Sequence, residues 1–302
     1  MLAVTILGNN SALPMHDRHP TSQVVTTEDH LFLVDCGEGT QIQMNRYKIR
    51  RSRIDHIFIS HLHGDHYFGL AGLLNSYNLT SRTEPLYIYG PAALKEILDL
   101  QFKVAEAHLS YPLYFHALDE PELLVDERKI TVHSFRVRHR IPCWGFIFRE
   151  KPKPRKVDPD KATDAGVPTS FYPHLKEGKD FITDSGVLVK NELVTKPAPP
   201  SFSYAYTADT SYDESIAKIV SGCGLLYHEA TYLDEMRERA RERFHSTAKE
   251  AATIARTAAV KKLILGHFSS KYEELDAFRQ EAEAVFPEVE LAREGVTYIV
   301  KC

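Results

Sequence analysis

Between Ile54 and His66 the chain reads Ile-Asp-His-Ile-Phe-Ile-Ser-His-Leu-His-Gly-Asp-His, an apolar run that ends in the pattern H-x-H-x-D-H. Four ligand-type side chains, His61, His63, Asp65 and His66, fall within six positions. Side chains of an extended segment alternate, so His61 and His63 are expected to face the same way. Gly64 is expected to let the chain turn sharply, with Asp65 and His66 placed where a helix begins. The four side chains can then converge at the carboxyl end of a strand. Imidazole with carboxylate suits zinc, and a catalytic zinc keeps one position open for water. Four ligands are too many for one such ion, so further His and Asp from elsewhere would complete two. Two ions about 3.5–4 Å apart form a clamp suited to phosphoester hydrolysis.

The elements that must position these residues follow from the hydropathy pattern. Strand-like runs lie at 4–7, 31–34, 54–59, 86–89, 130–137, 144–148, 203–206, 225–227, 263–265 and 296–300. Helical patterns lie at 39–46, 66–77, 92–102, 213–220, 233–243, 247–258 and 272–286. Both halves are strand-rich with helices after strands, which predicts two mixed sheets flanked by helices in layers. Residues 150–200 break the pattern with Pro152, Pro154, Pro159, Pro168, Pro173, Pro197, Pro199 and Pro200. Proline at this density is expected to block regular interiors. It predicts an extended arm leaving the core near Glu150 and returning near Ser201.

Composition narrows the class. The 302 residues include 43% hydrophobic and 26% charged side chains, which argues against disorder and coiled coil. No apolar run approaches the roughly 18 residues of a membrane span, and Met1–Leu7 reads as a first strand instead of a leader. The expected location is the cytoplasm. Four cysteines cannot form a disulfide scaffold; Cys36, Cys143 and Cys223 are expected in the core and Cys302 at the solvent. With 37 basic against 41 acidic residues, nonspecific nucleic-acid binding is not suggested by charge as a whole. Basic residues nevertheless clump at Arg46, Lys48, Arg50, Arg51 and Arg53, and again at Arg136, Arg138, Arg140, Arg149, Lys151, Lys153, Arg155 and Lys156. Such clumps can make a local positive face on an acidic protein.

Several further segments carry a family resemblance. Leu33–Gln41 reads Leu-Val-Asp-Cys-Gly-Glu-Gly-Thr-Gln ahead of the histidine motif. His139 lies six residues before Gly145-Phe146, Thr207-Ala208-Asp209-Thr210 follows a strand-like run, and His228-Glu229-Ala230-Thr231, His245-Ser246-Thr247 and Leu265–Tyr272 come later. With these segments the sequence resembles the metallo-β-lactamase fold. More narrowly it resembles the short bacterial form of the ribonuclease Z family, the tRNA 3′-processing endonucleases.

The resemblance implies an α/β fold, the αββα four-layer sandwich, as one domain over 1–302 with an inserted tRNA-binding arm at about 150–200. It implies two zinc ions per subunit. One would be held by His61, His63 and His139, and the other by Asp65, His66 and His267, with Asp209 bridging. Asp65 would also act on the attacking water as a general base, and Glu229 with His245 would deliver a proton to the leaving oxygen. Asp35 would brace the metal loop. Arg46, Lys48, Arg50, Arg51, Lys151, Lys153, Arg155 and Lys156 become candidate contacts to precursor tRNA, since phosphate contacts position a nucleic acid. A homodimer is also implied. The segment departs from the family in lacking a Gly-Pro pair in the arm, in Ala208 where Gly is common and in Lys271 where Arg is common. Two other functions fit the metal motif: a binuclear hydrolase of small phosphodiesters, thioesters or sulfate esters, and an inactive metal-binding RNA partner.

Overall fold

The computed structural model describes residues 1–301, so Cys302 lies outside the described residues. The chain opens with β1 (Ala3–Gly8), β2 (Ser22–Thr26), β3 (Leu31–Cys36), β4 (Ile54–Phe58), β5 (Leu86–Pro91), β6 (Leu113–Leu118), β7 (Leu123–Asp126), β8 (Ile130–Arg136) and β9 (Trp144–Glu150). Four two-residue strands follow: β10 (Lys156–Val157), β11 (Phe181–Ile182), β12 (Leu188–Val189) and β13 (Thr195–Lys196). The last are β14 (Ser203–Tyr206), β15 (Leu225–Glu229), β16 (Leu263–Gly266), β17 (Val289–Leu291) and β18 (Thr297–Ile299).

Contacts divide the chain into two units, Met1–Arg149 with Phe202–Lys301, and Glu150–Ser201. The larger unit holds two seven-stranded sheets, ordered β18-β1-β2-β3-β4-β5-β6 and β17-β16-β15-β14-β9-β8-β7. In the first sheet β3 to β6 run parallel; in the second β14 to β17 do. Parallel ladders are stable only with both faces covered, and period-two alternation supplies both faces. Phe32 and Val34 point into the core shared with Phe146, Phe148, Tyr204 and Tyr206 of the other sheet. Their neighbours point outward: Leu33 joins Leu70, Leu73 and Leu94, while Ile147 and Ala205 join Ala251, Ala255 and Phe278. Helices therefore cover the two outer faces, which makes the four-layer αββα sandwich of the metallo-β-lactamase fold.

Some elements differ from the pattern read in the sequence. The helix expected over 66–77 is two, Gly64–Tyr67 and Leu70–Leu79. The break falls at Gly69, whose amide donates to the Cys36 carbonyl at 2.9 Å. A Cβ there would lie 2.3 Å from the Gly37 oxygen. The helix expected over 272–286 shortens to Asp276–Glu283. Strand β2 is missing from the apolar pattern because it begins Ser22-Gln23, yet it is buried: the Tyr204 hydroxyl donates to Gln23 Oε1 within the core. Cys36, Cys143 and Cys223 are buried free thiols, and burial pushes the Cys36 thiol up to about 12.

The smaller unit has its own apolar centre of Ala162, Val167, Leu175, Val189 and Val194. Its prolines do not keep helices out, because they stand at permitted positions. Pro159 opens the helix Pro159–Asp164 and Pro173 the helix Tyr172–Lys176, where a missing amide hydrogen costs nothing. Buried Asn191 ties the unit together, donating to the Leu175 and Lys179 carbonyls at 2.8 and 3.0 Å.

Candidate metal centre

Six of the seven predicted ligands lie where loops leave the carboxyl ends of parallel strands, the usual crevice of open α/β sheets, and His139 joins them from the end of β8. His61 and His63 lie on the loop after β4, and Asp65 and His66 in the helix Gly64–Tyr67. His139 follows β8, Asp209 follows β14 and His267 follows β16. His61, His66, Asp209 and His267 are buried, while His63, Asp65 and His139 are half-buried. Gly64 turns without a positive φ. The sharp turn expected of it is a helix start with His63 as the N-terminal cap residue. A Cβ at Gly64 would meet the Phe68 ring at 2.2 Å.

The hydrogen bonds fix which nitrogen of each imidazole faces the centre. Asp35, fully buried at the end of β3, accepts from the Ser60 amide at 2.7 Å, the Ser60 hydroxyl at 2.8 Å, the Tyr206 hydroxyl at 2.5 Å and His66 Nδ1 at 2.7 Å. A carboxylate only accepts, so His66 is protonated on Nδ1. The Ser60 hydroxyl spends its proton on Asp35 and therefore accepts from His61 Nδ1, 3.0 Å away. His139 Nδ1 donates to the Phe244 carbonyl at 2.9 Å. Thr231 Oγ1 gives its proton to Glu229 at 2.8 Å and accepts from His267 Nδ1 at 3.0 Å. In each case Nε2 is left facing inward, the arrangement that orients metal-binding histidines.

The inward atoms form two groups. His61 Nε2 and His139 Nε2 lie 3.0 and 3.1 Å from His63 Nδ1. His66 Nε2 and Asp65 Oδ2 each lie 3.3 Å from His267 Nε2. Asp209 joins them: Oδ2 is 3.6 Å from His61 Nε2, and Oδ1 is 3.4 and 3.2 Å from His66 and His267 Nε2. Ligand bonds of about 2.0–2.1 Å place neighbouring donors roughly 3 Å apart, so these spacings fit donors around a cation. A buried acceptor without a partner supports the same reading: Asp209 Oδ1 has no hydrogen bond, a costly state for a buried carboxylate oxygen. The donor set therefore fits metal binding. His63 is the exception. Arg140 Nη2 lies 3.0 Å from its Nε2, and a guanidinium only donates, so this contact puts the proton on Nδ1. In this arrangement His63 Nδ1 offers no lone pair to a cation.

The local charges agree with a cation site. Burial opposes charge on His66, but Asp209, Asp65 and Asp35 outweigh it and hold its pKa well above the ordinary range. Burial also opposes charge on Asp65, where His66 and His267 win and hold the carboxyl far below its usual range. Burial, with His139 nearby, lowers His63 to about 4. Asp65 Oδ2 further accepts from the Ala12 amide at 2.7 Å, a donor without a side-chain signal in the sequence.

Glu229, at the end of β15, is fully buried and satisfied on both oxygens. Oε1 accepts from the Thr210 amide at 3.0 Å and from His245 Nδ1 at 2.8 Å; Oε2 accepts from the Thr231 amide at 3.0 Å and its hydroxyl. Burial alone would lower His245, but Glu229 raises it to about 9. With Nδ1 on Glu229, His245 can offer a proton from Nε2. A cavity of about 550 Å³ holds His63, Asp65, His139, Asp209 and His245. Its basic lining is Arg140, Arg239 and Arg243. Arg239 and Arg243 sit one turn apart on the helix Arg237–Arg243; in the sequence they fall within the helical pattern at 233–243 with nothing to mark them out.

None of the expected RNA contacts is among the residues that line the cavity. Arg46, Lys48 and Arg50 are exposed around the end of the helix Thr40–Arg46, and Arg51 donates to Asn45 Oδ1 at 3.2 Å. None of these four lines the cavity. Lys151, Lys153, Arg155 and Lys156 belong to the smaller unit, where Arg155 Nε donates to Thr195 Oγ1 at 2.8 Å and Lys153 pairs with Glu150 at 3.3 Å.

Comparison with known proteins places this geometry in a family. The family profile described as Anti-Pycsar protein Apyc1 matches residues 2–151. Ribonuclease Z of Bacteroides thetaiotaomicron is 43% identical over 293 residues, spanning 96% of this chain and 93% of that one. Ribonuclease Z of Cytophaga hutchinsonii is 41% identical over 300 residues, with 98% and 95% covered. Among solved structures, the short form of human tRNase Z superposes with a TM-score of 0.72 at 27% identity, covering 99% of this chain and all of that one. The metallo-β-lactamase fold protein YhfI of Bacillus subtilis shares the fold with a TM-score of 0.69 at 21% identity. By full-length similarity to its curated members, the chain belongs to the ribonuclease Z family.

Proposed function

We propose that this protein is a zinc-dependent endoribonuclease that removes the 3′ trailer from precursor tRNA, leaving a 3′-hydroxyl on the tRNA and a 5′-phosphate on the trailer. The observation that carries the reading is the pairing of two donor groups, joined by Asp209, with the Glu229–His245 couple beside one cavity that Asp209 and His245 line. His61, His63 and His139 would hold one zinc ion, Asp65, His66 and His267 a second, and Asp209 both. Zinc bound there would supply positive charge to the scissile phosphate and acidify the attacking water. Asp65 is the acceptor for that water's proton. His245, steadied by Glu229, protonates the departing ribose 3′-oxygen, a poor leaving group; such general acid catalysis is typically worth 10²–10⁴-fold.

Arg140, Arg239 and Arg243 grip the backbone beside the cut, and the 150–200 segment with its basic residues serves as the tRNA-binding arm. Family likeness adds a homodimer, readable by light scattering, and a cytoplasmic location. Among the described residues no helix is long and apolar enough to cross a membrane.

The test is incubation of the purified chain with one precursor tRNA carrying a 3′ trailer, with and without chelator, and mapping of both new ends. A chelator-sensitive cut beside the discriminator base with the stated ends is the expected result. Tight tRNA binding without cleavage at full zinc loading would overturn the reading. So would far faster turnover of bis-p-nitrophenyl phosphate than of RNA.

A further inference from the structure

A second histidine–carboxylate cluster stands at the opposite, amino end of β3 and β4. His30 directly precedes β3, and Asp55 and His56 open β4. One ligand-type atom from each lies within 4.8 Å of the other two. His56 is only 7% exposed. Its ring is stacked on Tyr87 and Tyr89, with centroids 5.0 and 5.9 Å away, and edge-on to Phe32 at 5.5 Å.

Two polar atoms here lack a well-formed hydrogen bond. His56 Nδ1 lies 2.9 Å from Asp55 Oδ1, an ion pair only when the imidazole is protonated. Both atoms are buried, and neither has a hydrogen-bond partner. Two buried unpartnered polar atoms are expensive unless something else binds them. A nitrogen and an oxygen about 3 Å apart with no proton in line have the spacing of two donors on one cation. Asp55 also meets His30, with Oδ2 2.8 Å from Nδ1. Glu127 Oε2, from the turn between β7 and β8, lies 3.9 Å from His30 Nε2, on the other edge of the ring.

We propose that His30, Asp55 and His56 form a site for one divalent transition-metal ion of the zinc class, separate from the candidate centre at the carboxyl ends. Two imidazoles and a carboxylate match that class and not calcium or magnesium, which favour all-oxygen sites. The ion would clip the turn before β3 to the start of β4. The turn before β3 is already tied to the β7–β8 turn by Lys129, which bonds Glu28 at 2.6 Å and Asp29 at 3.2 Å. The role is structural: no cavity of catalytic size is lined by His30, Asp55 or His56 among those described.

The test counts metal in the full chain after dialysis against zinc and removal of free ion. The wild type is expected to keep one ion per chain more than His30→Gln, with precursor cleavage the same in both. Equal metal content in the two proteins overturns the site. A second measurement does not depend on a variant: crystals of the zinc-loaded wild type should show an anomalous zinc peak between His30, Asp55 and His56, and no peak there overturns it equally. Because both readouts compare this position alone, they stand or fall apart from the endonuclease assignment.

Discussion

Strands β3 and β4 carry a histidine–carboxylate cluster at each end, and the two are held in different ways. At the carboxyl end, His61, His66, His139 and His267 each give their outer nitrogen to a hydroxyl, carboxylate or carbonyl. Hydrogen bonds of that kind fix both the ring plane and the tautomer. At the amino end, His56 is fixed by stacking on tyrosines, which sets the ring plane and leaves the proton undetermined. The ends also differ in access. The carboxyl-end cluster opens into a cavity of about 550 Å³ lined by three arginines, whereas Tyr87 and Tyr89 cover His56. Similar residue types thus make a reactive site in one place and a clip in the other. What separates them is the partner on the far nitrogen and the space in front of the near one.

The largest effect is expected at the carboxylate–histidine pairs, which look alike at the two ends. His245 Nδ1 is 2.8 Å from Glu229, and His30 Nδ1 is 2.8 Å from Asp55. Only His245 faces the cavity. His245→Gln should slow single-turnover cleavage by about 10²–10⁴-fold, the usual size of a lost general acid, while metal content and tRNA binding stay near wild type. Loss of metal from His245→Gln would mean that the residue is a ligand and that the division between holding and reacting groups is misdrawn.

A smaller loss is expected from Asp35→Asn. Asp35 touches no inward-facing atom of the metal centre other than through His66 and Ser60, and its two oxygens together take four donors. An amide in its place would set an NH₂ against one of those donors. Partners of this kind typically contribute about 10–100-fold to metal affinity, so a competition titration with a chelating dye should show a loss of that order. At the amino end His56 has no such hydrogen-bonded carboxylate. An unchanged zinc affinity would show that stacking positions an imidazole as well as hydrogen bonding does.

Much of this was legible in the sequence, and the reasons are local. The H-x-H-x-D-H run follows an apolar strand, so His61, His63, Asp65 and His66 had to leave the same strand end together. The layers followed from alternation, as at Phe32-Leu33-Val34, where inner and outer cores take successive side chains. Other features have no side-chain signature. The Ala12 amide on Asp65 and the Phe244 carbonyl on His139 are backbone groups of residues with φ of 67° and 59°. Any residue tolerating that conformation would serve. Ala208, where the family commonly has Gly, also adopts a left-handed φ of 55° beside Asp209, a conformation that costs an alanine roughly 1–2 kcal/mol. Arg239 and Arg243 were hidden because alternating charge on a helix does not say which face meets a cavity. The basic clump at 46–53 was conspicuous in sequence and lies away from the cavity lining.

The smallest effect separates two glycines beside the same loop. A Cβ on Gly37 would lie 2.4 Å from the Asp65 carbonyl oxygen and 2.7 Å from Pro20 Cβ. The Asp65 oxygen cannot yield without moving the loop that carries Asp65 and His66, so Gly37→Ala should cost about 1–3 kcal/mol of stability, as overpacking does, and weaken zinc binding with it. A Cβ on Gly64 would also clash, but with the Phe68 ring, and Phe68 is 65% exposed. That ring can swing into solvent, Gly64 has no positive φ to protect, and alanine favours a helix by up to about 1 kcal/mol over glycine. Gly64→Ala should therefore change thermal stability by less than about 1 kcal/mol and leave zinc content intact. If Gly64→Ala instead matched Gly37→Ala in both readouts, the turn between His63 and Asp65 would need glycine for its backbone. The ligand loop would then be held from within its own sequence, and not by the β3 end that packs beneath it.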